Sequence, residues 1–180
     1  MLKIEDTLLL VIDVQEKLFR VMPEKETLLL NLSKLVRGCG LLGVPVLVTE
    51  QNPAGLGSTV PEIAALVPDA AKATKFDFSC CSDIGFIEQL KTTDRRQILI
   101  CGIESHICVY QTASDLLSAG YEVQVVSDGV SSRAPQNKEL ALRRLAAEGV
   151  TITGVEMALF ELLRTAKAEQ FKAISKLIKE

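Results

Sequence analysis

The strongest constraint on the fold is a repeated alternation between short, nearly unbroken apolar runs and longer segments with apolar residues at helical spacing. The runs predict β-strands at or near residues 8–12, 44–49, 70–74, 97–101, 122–127 and 150–153. Strands that are almost wholly apolar, rather than alternating, are typical of a sheet covered on both faces. The pattern therefore predicts a three-layer α/β fold, in which a parallel sheet lies between two layers of helices.

Glycines mark the helix ends in this pattern. Gly43, Gly120 and Gly149 each follow a helical segment and precede a strand. Glycine has no Cβ and readily adopts positive φ, so these three positions are predicted to be left-handed helix caps. The last segment, residues 164–180, is predicted to be a further amphipathic helix with a solvated basic face.

Composition excludes several classes of protein. The chain of 180 residues is expected to form a single domain over residues 1–180. Its longest apolar run is far shorter than the ~20 residues of a membrane span, so no membrane partner is expected. A net charge of −3 does not favour a nucleic-acid partner. Five cysteines, an odd number, without a signal-peptide pattern predict reduced thiols and a cytoplasmic location.

Three chemically distinctive side chains follow strands of the predicted sheet. Asp13 follows the first strand, Lys75 the third, and Cys108 lies in the first helical turn after the fourth. Ligands of parallel sheets bind at the carboxyl ends of the strands, where these residues would meet. Each residue alone could be a helix cap, a surface charge or a core thiol. Together they predict a reactive thiolate, because a helix N-terminus and a lysine both lower a thiol pKa.

The single histidine is not expected to be the base for this thiol. His106 lies two residues before Cys108, and side chains at that spacing on a helix do not face each other. His106 is therefore predicted to be structural or to line the pocket, which leaves Asp13 as the candidate base. The other thiols are predicted to be core residues, with a vicinal redox pair at Cys80 and Cys81 as an open alternative; they are Cys39, Cys80, Cys81 and Cys101.

No cofactor site is expected. Residues 38–43 match the G-x-G-x-x-G pattern, but a helix precedes them and a strand follows, the reverse of a dinucleotide site. No phosphate-binding G-K-[ST] loop is present.

Three segments carry a resemblance to a known family. They are Leu-Val-Ile-Asp-Val-Gln at 10–15, Lys75-Phe76, and Gly-Ile-Glu-Ser-His-Ile-Cys-Val at 102–109. With these the chain resembles the isochorismatase-like cysteine hydrolases, and segments 49–53 and 154–162 are similar to the isochorismatase-domain subgroup of unassigned substrate. The resemblance implies a six-stranded parallel sheet in the order 3-2-1-4-5-6, a triad of Asp13, Lys75 and Cys108, a cis peptide between Ile103 and Glu104, and a homo-oligomer.

Two differences from members of this family restrict the reactions that the resemblance implies. Nicotinamidases hold a metal through an Asp-x-His…His arrangement, which one histidine cannot supply, so no metal is expected. Isochorismatases that hydrolyse a vinyl ether lack the cysteine, whereas Cys108 is present. The resemblance therefore implies metal-independent cleavage of a C–N bond, amide or carbamoyl, in a small molecule.

In this mechanism Cys108 forms a thioester, Asp13 is the acid and base, and Lys75 gives electrostatic support. The backbone N–H groups of Glu104 and Cys108 are expected to bind the oxyanion. The candidate pocket walls are Phe19, Gln51, Phe76 and Ile103. A non-catalytic binding or assembly module, a vinyl ether hydrolase and a redox protein remain as alternatives.

Overall fold

The computed structural model describes residues 1–180, and its centre is a six-stranded sheet in which all neighbouring strands are parallel. The strands are β1 (Thr7–Ile12), β2 (Val46–Gln51), β3 (Ala71–Lys75), β4 (Gln97–Ile103), β5 (Glu122–Ser131) and β6 (Thr151–Thr153). Their order is β3-β2-β1-β4-β5-β6, so the predicted fold class and strand order are confirmed.

Nine α-helices connect and cover the strands: α1 (Glu16–Phe19), α2 (Lys25–Leu42), α3 (Pro53–Leu56), α4 (Pro61–Ala64), α5 (Ile84–Thr92), α6 (Tyr110–Ser118), α7 (Pro135–Glu148), α8 (Val155–Leu163) and α9 (Phe171–Lys179). A 3-10 turn at Cys80–Ser82 precedes α5, and a π-helical turn at Ser105–Val109 leads into α6. None of these helices is long and apolar enough to cross a bilayer.

The two faces of the sheet belong to two separate cores. Along β1, Leu9 and Val11 face a cluster that includes residues of α2, α8 and α9. Leu8, Leu10 and Ile12 face the opposite cluster, which includes residues of α5, α6 and α7. Because successive side chains of a strand point to opposite faces, an unbroken apolar run is what a doubly covered strand requires.

Several element boundaries differ from prediction. The largest difference among the strands is in β5, which extends to Ser131 instead of ending at residue 127. The second strand begins at Val46 because the Val44 N–H completes the end of α2 by donating to the Cys39 carbonyl. The final helix begins at Phe171, since α8 ends at Leu163, its C-cap residue Arg164 has φ of 65°, and turns occupy the residues between. The three predicted glycine caps are confirmed, with φ of 73°, 87° and 104° at Gly43, Gly120 and Gly149.

Gly102 brings the ends of the two central strands unusually close. It pairs with Ile12 in the register of β1 and β4, and its φ is 123°. A Cβ at this position would lie well inside van der Waals contact with the backbone carbonyl oxygen of Ile12. Only glycine therefore permits this approach, which sets the spacing of the chain segments that follow β1 and β4.

Replacing Gly102 with alanine is expected to destabilise the protein by about 4 kcal/mol or more, because backbone atoms must separate to admit the methyl group. Gly120→Ala is the matched control, since Gly120 also has positive φ but has open space around its Cβ position. That variant should lose only about 1–2 kcal/mol from the left-handed conformation itself. Urea denaturation measures both, and equal losses would contradict the role given to the close approach.

Candidate active site

A buried ion pair lies at the carboxyl edge of the sheet. Asp13 directly follows β1 with φ of 52°, a left-handed conformation in which aspartate and asparagine are enriched. Lys75 is the last residue of β3, and its Nζ donates to Asp13 Oδ2 at 2.7 Å. Both side chains are inaccessible to solvent. Between them in the sheet, Thr49 of β2 donates its hydroxyl to the other carboxylate oxygen at 2.7 Å.

Further hydrogen bonds complete the environment of the ammonium. Lys75 Nζ also donates to the carbonyls of Asp77 and Phe78, each at 3.2 Å, so three acceptors surround its three protons. Burial alone would lower the pKa of Lys75, but the Asp13 charge and the neighbouring Cys80 and Cys108 raise it above its ordinary value. The stability that the ammonium contributes is therefore complete at neutral pH, and it declines only as pH rises through this raised pKa.

Cys108 lies in the π-helical turn, beside the ion pair. Its thiol is 3% exposed and donates to Gln51 Oε1 at 3.3 Å. Burial raises the pKa of the Cys108 thiol, and the Asp13 carboxylate raises it further, while Lys75 acts in the opposite direction and is outweighed. The predicted lowering of this pKa is wrong, because the sequence does not show how deeply the thiol is buried and the prediction counted only the helix N-terminus and the lysine. The resting group at Cys108 is a neutral thiol.

The other four cysteines also have thiols with raised pKa values. Burial raises the pKa of Cys39 and of Cys80 to about 12 and that of Cys81 to about 11, and it also raises the pKa of Cys101. All five cysteines are free. Cys80 is a core residue, but its Sγ lies 3.9 Å from Thr49 Oγ1, close to the ion pair. The sequence did not predict that proximity.

The thiol opens into a cavity of about 200 Å³. The cavity is lined by Leu18, Gln51, Leu56, Phe78, Glu104, Ile107 and Cys108. Of the four predicted wall residues, only Gln51 lines it.

The other three predicted wall residues lie elsewhere. Phe19 lines a different cavity, Phe76 is 76% exposed, and Ile103 is fully buried in β4. Leu18 and Phe78, close neighbours in sequence of Phe19 and Phe76, line the Cys108 cavity instead. Short helices and loops lack the long periodicity that would distinguish such neighbours.

The segment before the π-helical turn has a buried acidic side chain that the sequence analysis did not use. The Ile103–Glu104 peptide is cis, as the resemblance implied. The Glu104 side chain is 6% exposed and accepts hydrogen bonds from the backbone N–H and the Nε of Arg133, at 2.9 and 3.2 Å. This ion pair connects the nucleophile segment to the chain that follows β5.

A second overlooked residue holds the loop after β2. Gln15 is fully buried; its Nε2 donates to the carbonyls of Gln51 and Gly57, and its Oε1 accepts the Gln51 N–H at 2.8 Å. These bonds fix the residue that accepts from the Cys108 thiol. The position of Gln15, two residues after Asp13 at a strand end, was the available signal.

His106 has a structural role. Its Nδ1 lies 3.0 Å from Ser132 Oγ and its Nε2 lies 3.3 Å from Asn137 Nδ2. The ring is not among the residues that line the catalytic cavity. The chain also brings together no group of three or more histidine, cysteine, aspartate or glutamate side chains that could hold a metal ion.

Comparisons with known proteins place the chain in a family. Residues 7–157 match the isochorismatase domain. A secreted isochorismatase effector, Isc1, from Phytophthora sojae is 43% identical over 97% of this chain and 85% of its own length. Isochorismatase domain-containing protein 2 from Danio rerio is 37% identical over 98% of this chain and 89% of its own length. The chain therefore belongs to the isochorismatase family.

A solved structure supports the same assignment. The MAR1 ribonuclease from Caenorhabditis elegans superimposes with a TM-score of 0.93 at 31% identity, covering 99% of this chain and 92% of that protein. The fold and the family are thus shown by sequence and by structure together.

The ion pair can be tested by a double-mutant cycle with Asp13→Asn and Lys75→Met. Each single change leaves one buried polar group without its partner and is expected to cost about 3–5 kcal/mol. The double variant should cost less than the sum by about 1–3 kcal/mol. Asparagine suits the left-handed backbone of residue 13, so the cycle reports the pair rather than backbone strain.

Urea denaturation at neutral pH measures the four proteins of the cycle. The exposed pair between Lys3 and Asp6, 3.1 Å apart, is the matched control and should show no measurable coupling. Strict additivity at Asp13 and Lys75 would contradict an energetically coupled pair.

Proposed function

We propose that the protein is a metal-independent thiol hydrolase that cleaves the C–N bond of a small amide or carbamoyl compound. The observation that carries the proposal is the Cys108 thiol, open to a small cavity and adjacent to the buried pair of Asp13 and Lys75. Nucleophilic catalysis by cysteine requires a thiol that touches substrate and a base that can take its proton. Asp13 has the only carboxylate among Asp13, Lys75 and Cys108, so it is the group proposed to take the proton.

The first half of the reaction forms a thioester. As Cys108 Sγ bonds to the substrate carbonyl carbon, its proton passes to the Asp13 carboxylate. The backbone N–H groups of Glu104 and Cys108 stabilise the oxyanion, a contribution of ~3–4 kcal/mol per donor in other hydrolases. Asp13 then gives the proton to the leaving amine as the C–N bond breaks.

The second half returns the enzyme to its starting state. Asp13 takes a proton from water while the water oxygen bonds to the thioester carbonyl carbon, and the C–S bond breaks. The proton passes from Asp13 to Sγ, and the acid is released. Lys75 stays protonated throughout, because its pKa is raised, and its ammonium remains the hydrogen-bond partner of Asp13.

The raised thiol pKa determines the timing of proton transfer. A thiol that is neutral at rest must lose its proton during attack rather than before it. The carboxylate next to Sγ is the group that makes this concerted step possible. The cavity of about 200 Å³ and its apolar walls favour a small substrate, which the Gln51 side chain can hydrogen-bond.

One relative supports a second candidate function, vinyl ether hydrolysis. The Phytophthora sojae protein, at 43% identity, is described as an isochorismatase effector. In that reaction an acid acts on the substrate and no cysteine is needed, so Asp13 would be the essential residue and Cys108 would not. The ribonuclease name of the Caenorhabditis elegans relative is supported by no feature of this site, given the small cavity and the net charge of −3.

We place the protein in a reducing compartment, the cytoplasm, because all five cysteines are free. The relative from Phytophthora sojae is described as secreted, so the cytoplasmic location of this protein needs its own experiment. We also propose that the protein forms a homo-oligomer, and only the family resemblance supports this.

The proposal predicts which substrates depend on which residues. Primary amides, N-carbamoyl compounds, isochorismate and a short RNA are offered to the wild type, Asp13→Asn, Cys108→Ala and Cys81→Ala. Amide or carbamoyl turnover should fall at least ~10³-fold in Asp13→Asn and in Cys108→Ala. It should stay unchanged in Cys81→Ala, the matched control, which removes a half-buried thiol. Acid quenching followed by mass spectrometry should find the acyl group on Cys108.

Three results would contradict this prediction, and each has its own meaning. Isochorismate turnover that survives Cys108→Ala supports the vinyl ether reaction. RNA cleavage that survives the same change removes the thiol mechanism altogether. No turnover of any compound by a folded wild type supports a binding or assembly module.

A further inference from the structure

A second cavity lies at the carboxyl edge of the sheet, apart from the catalytic one. It has a volume of about 230 Å³ and lies between the start of α2, the end of β5 and the first turn of α7. None of its lining residues lines the catalytic cavity. Its polar lining includes Glu24, Thr27, Asp128, Ser131, Ser132 and Lys138.

A lysine without a partner lies in the wall of this cavity. Lys138 is half-buried, and its ammonium forms no ion pair and no hydrogen bond within the protein. Burial lowers the pKa of Lys138, and the charges of Asp128 and Glu24 offset this only in part. A partly desolvated cation that touches no acceptor is a group that a ligand can satisfy.

A buried hydroxyl lies in the same wall. Ser131 ends β5, is 5% exposed, and its hydroxyl has no hydrogen-bond partner in the protein. The neighbouring Ser132 differs, because its hydroxyl is bonded to His106. A hydroxyl that lines a cavity and has no partner in the protein is free to hydrogen-bond a ligand there.

The charges of the cavity restrict the kind of ligand. Glu24 and Asp128 contribute two carboxylates, and Lys138 contributes one ammonium. A simple anion would approach Lys138 but would face both carboxylates, and a simple cation would face the lysine. A molecule with both charges can satisfy both kinds of group. At about 230 Å³ the cavity is smaller than the ~300–1,000 Å³ of drug-sized sites, so the molecule is small.

We propose that this cavity binds a small zwitterion of the amino-acid class, with the ligand carboxylate on Lys138 and Ser131 and the ligand ammonium on Glu24 and Asp128. The site is separate from the catalytic cavity and does not depend on the proposed hydrolase activity.

The test is thermal denaturation with chemically matched probes. Glycine, L-alanine, L-serine and β-alanine are the zwitterions, acetate and inorganic phosphate supply the anion alone, and methylammonium supplies the cation alone. At least one zwitterion should raise the Tm progressively with its concentration, and the single-charge probes should not. The shift should persist in Cys108→Ala, which separates this site from the catalytic one.

Variants locate the binding. Lys138→Met and Ser131→Ala should weaken the zwitterion at least 10-fold by isothermal titration, whereas Lys138→Arg, which keeps the charge, should stay within a few-fold of wild type. Lys172→Met removes an exposed lysine of α9 and is the matched control, with no change expected. Equal shifts from acetate, phosphate or methylammonium, a shift that survives Lys138→Met, or no shift with any zwitterion would each overturn the proposal.

Discussion

The arrangement of the carboxyl edge of the sheet depends on the buried ion pair between Lys75 and Asp13. Taking two charges out of water is costly, and it is sustained only when both ions are fully hydrogen-bonded. Here the carboxylate receives Lys75 and Thr49, and the ammonium also donates to two backbone carbonyls of the loop after β3. The ion pair and its hydrogen bonds therefore connect β1, β2, β3 and that loop. Removing either charge is expected to loosen all four segments.

The same pair sets the chemistry that the thiol can perform. A carboxylate beside Cys108 makes the thiolate less favourable, and Lys75 is too fully engaged with Asp13 to reverse this. In the reaction that we propose, the thiol therefore loses its proton only as it attacks the substrate. Such a thiol is also protected from indiscriminate oxidation, because oxidants and electrophiles react with the thiolate.

The sequence predicted the parts of this structure that follow from periodicity and topology. Apolar runs predicted the doubly covered strands, and the strand-end rule brought Asp13, Lys75 and Cys108 to one edge. The sequence could not predict the pKa of Cys108, because that pKa depends on how deeply the π-helical turn is buried. Nor could it distinguish Leu18 from Phe19 or Phe78 from Phe76, because loops carry no repeating pattern of burial. Gln15 bonds backbone groups of a distant segment and Arg133 bonds the side chain of Glu104, and a single sequence does not reveal either contact.

The backbone contact at Gly102 has a consequence for how such a site can diversify. A side chain at Gly102 would collide with the backbone of Ile12, so substitutions at Gly102 are expected to disturb the spacing of the segments that carry Asp13 and Cys108. New specificities must therefore arise in residues that leave this spacing untouched, such as Leu18, Leu56 and Phe78 on the surrounding helices and loops. Under the proposed function, changes in these surrounding residues would alter which substrate fits while Asp13 and Cys108 keep their positions.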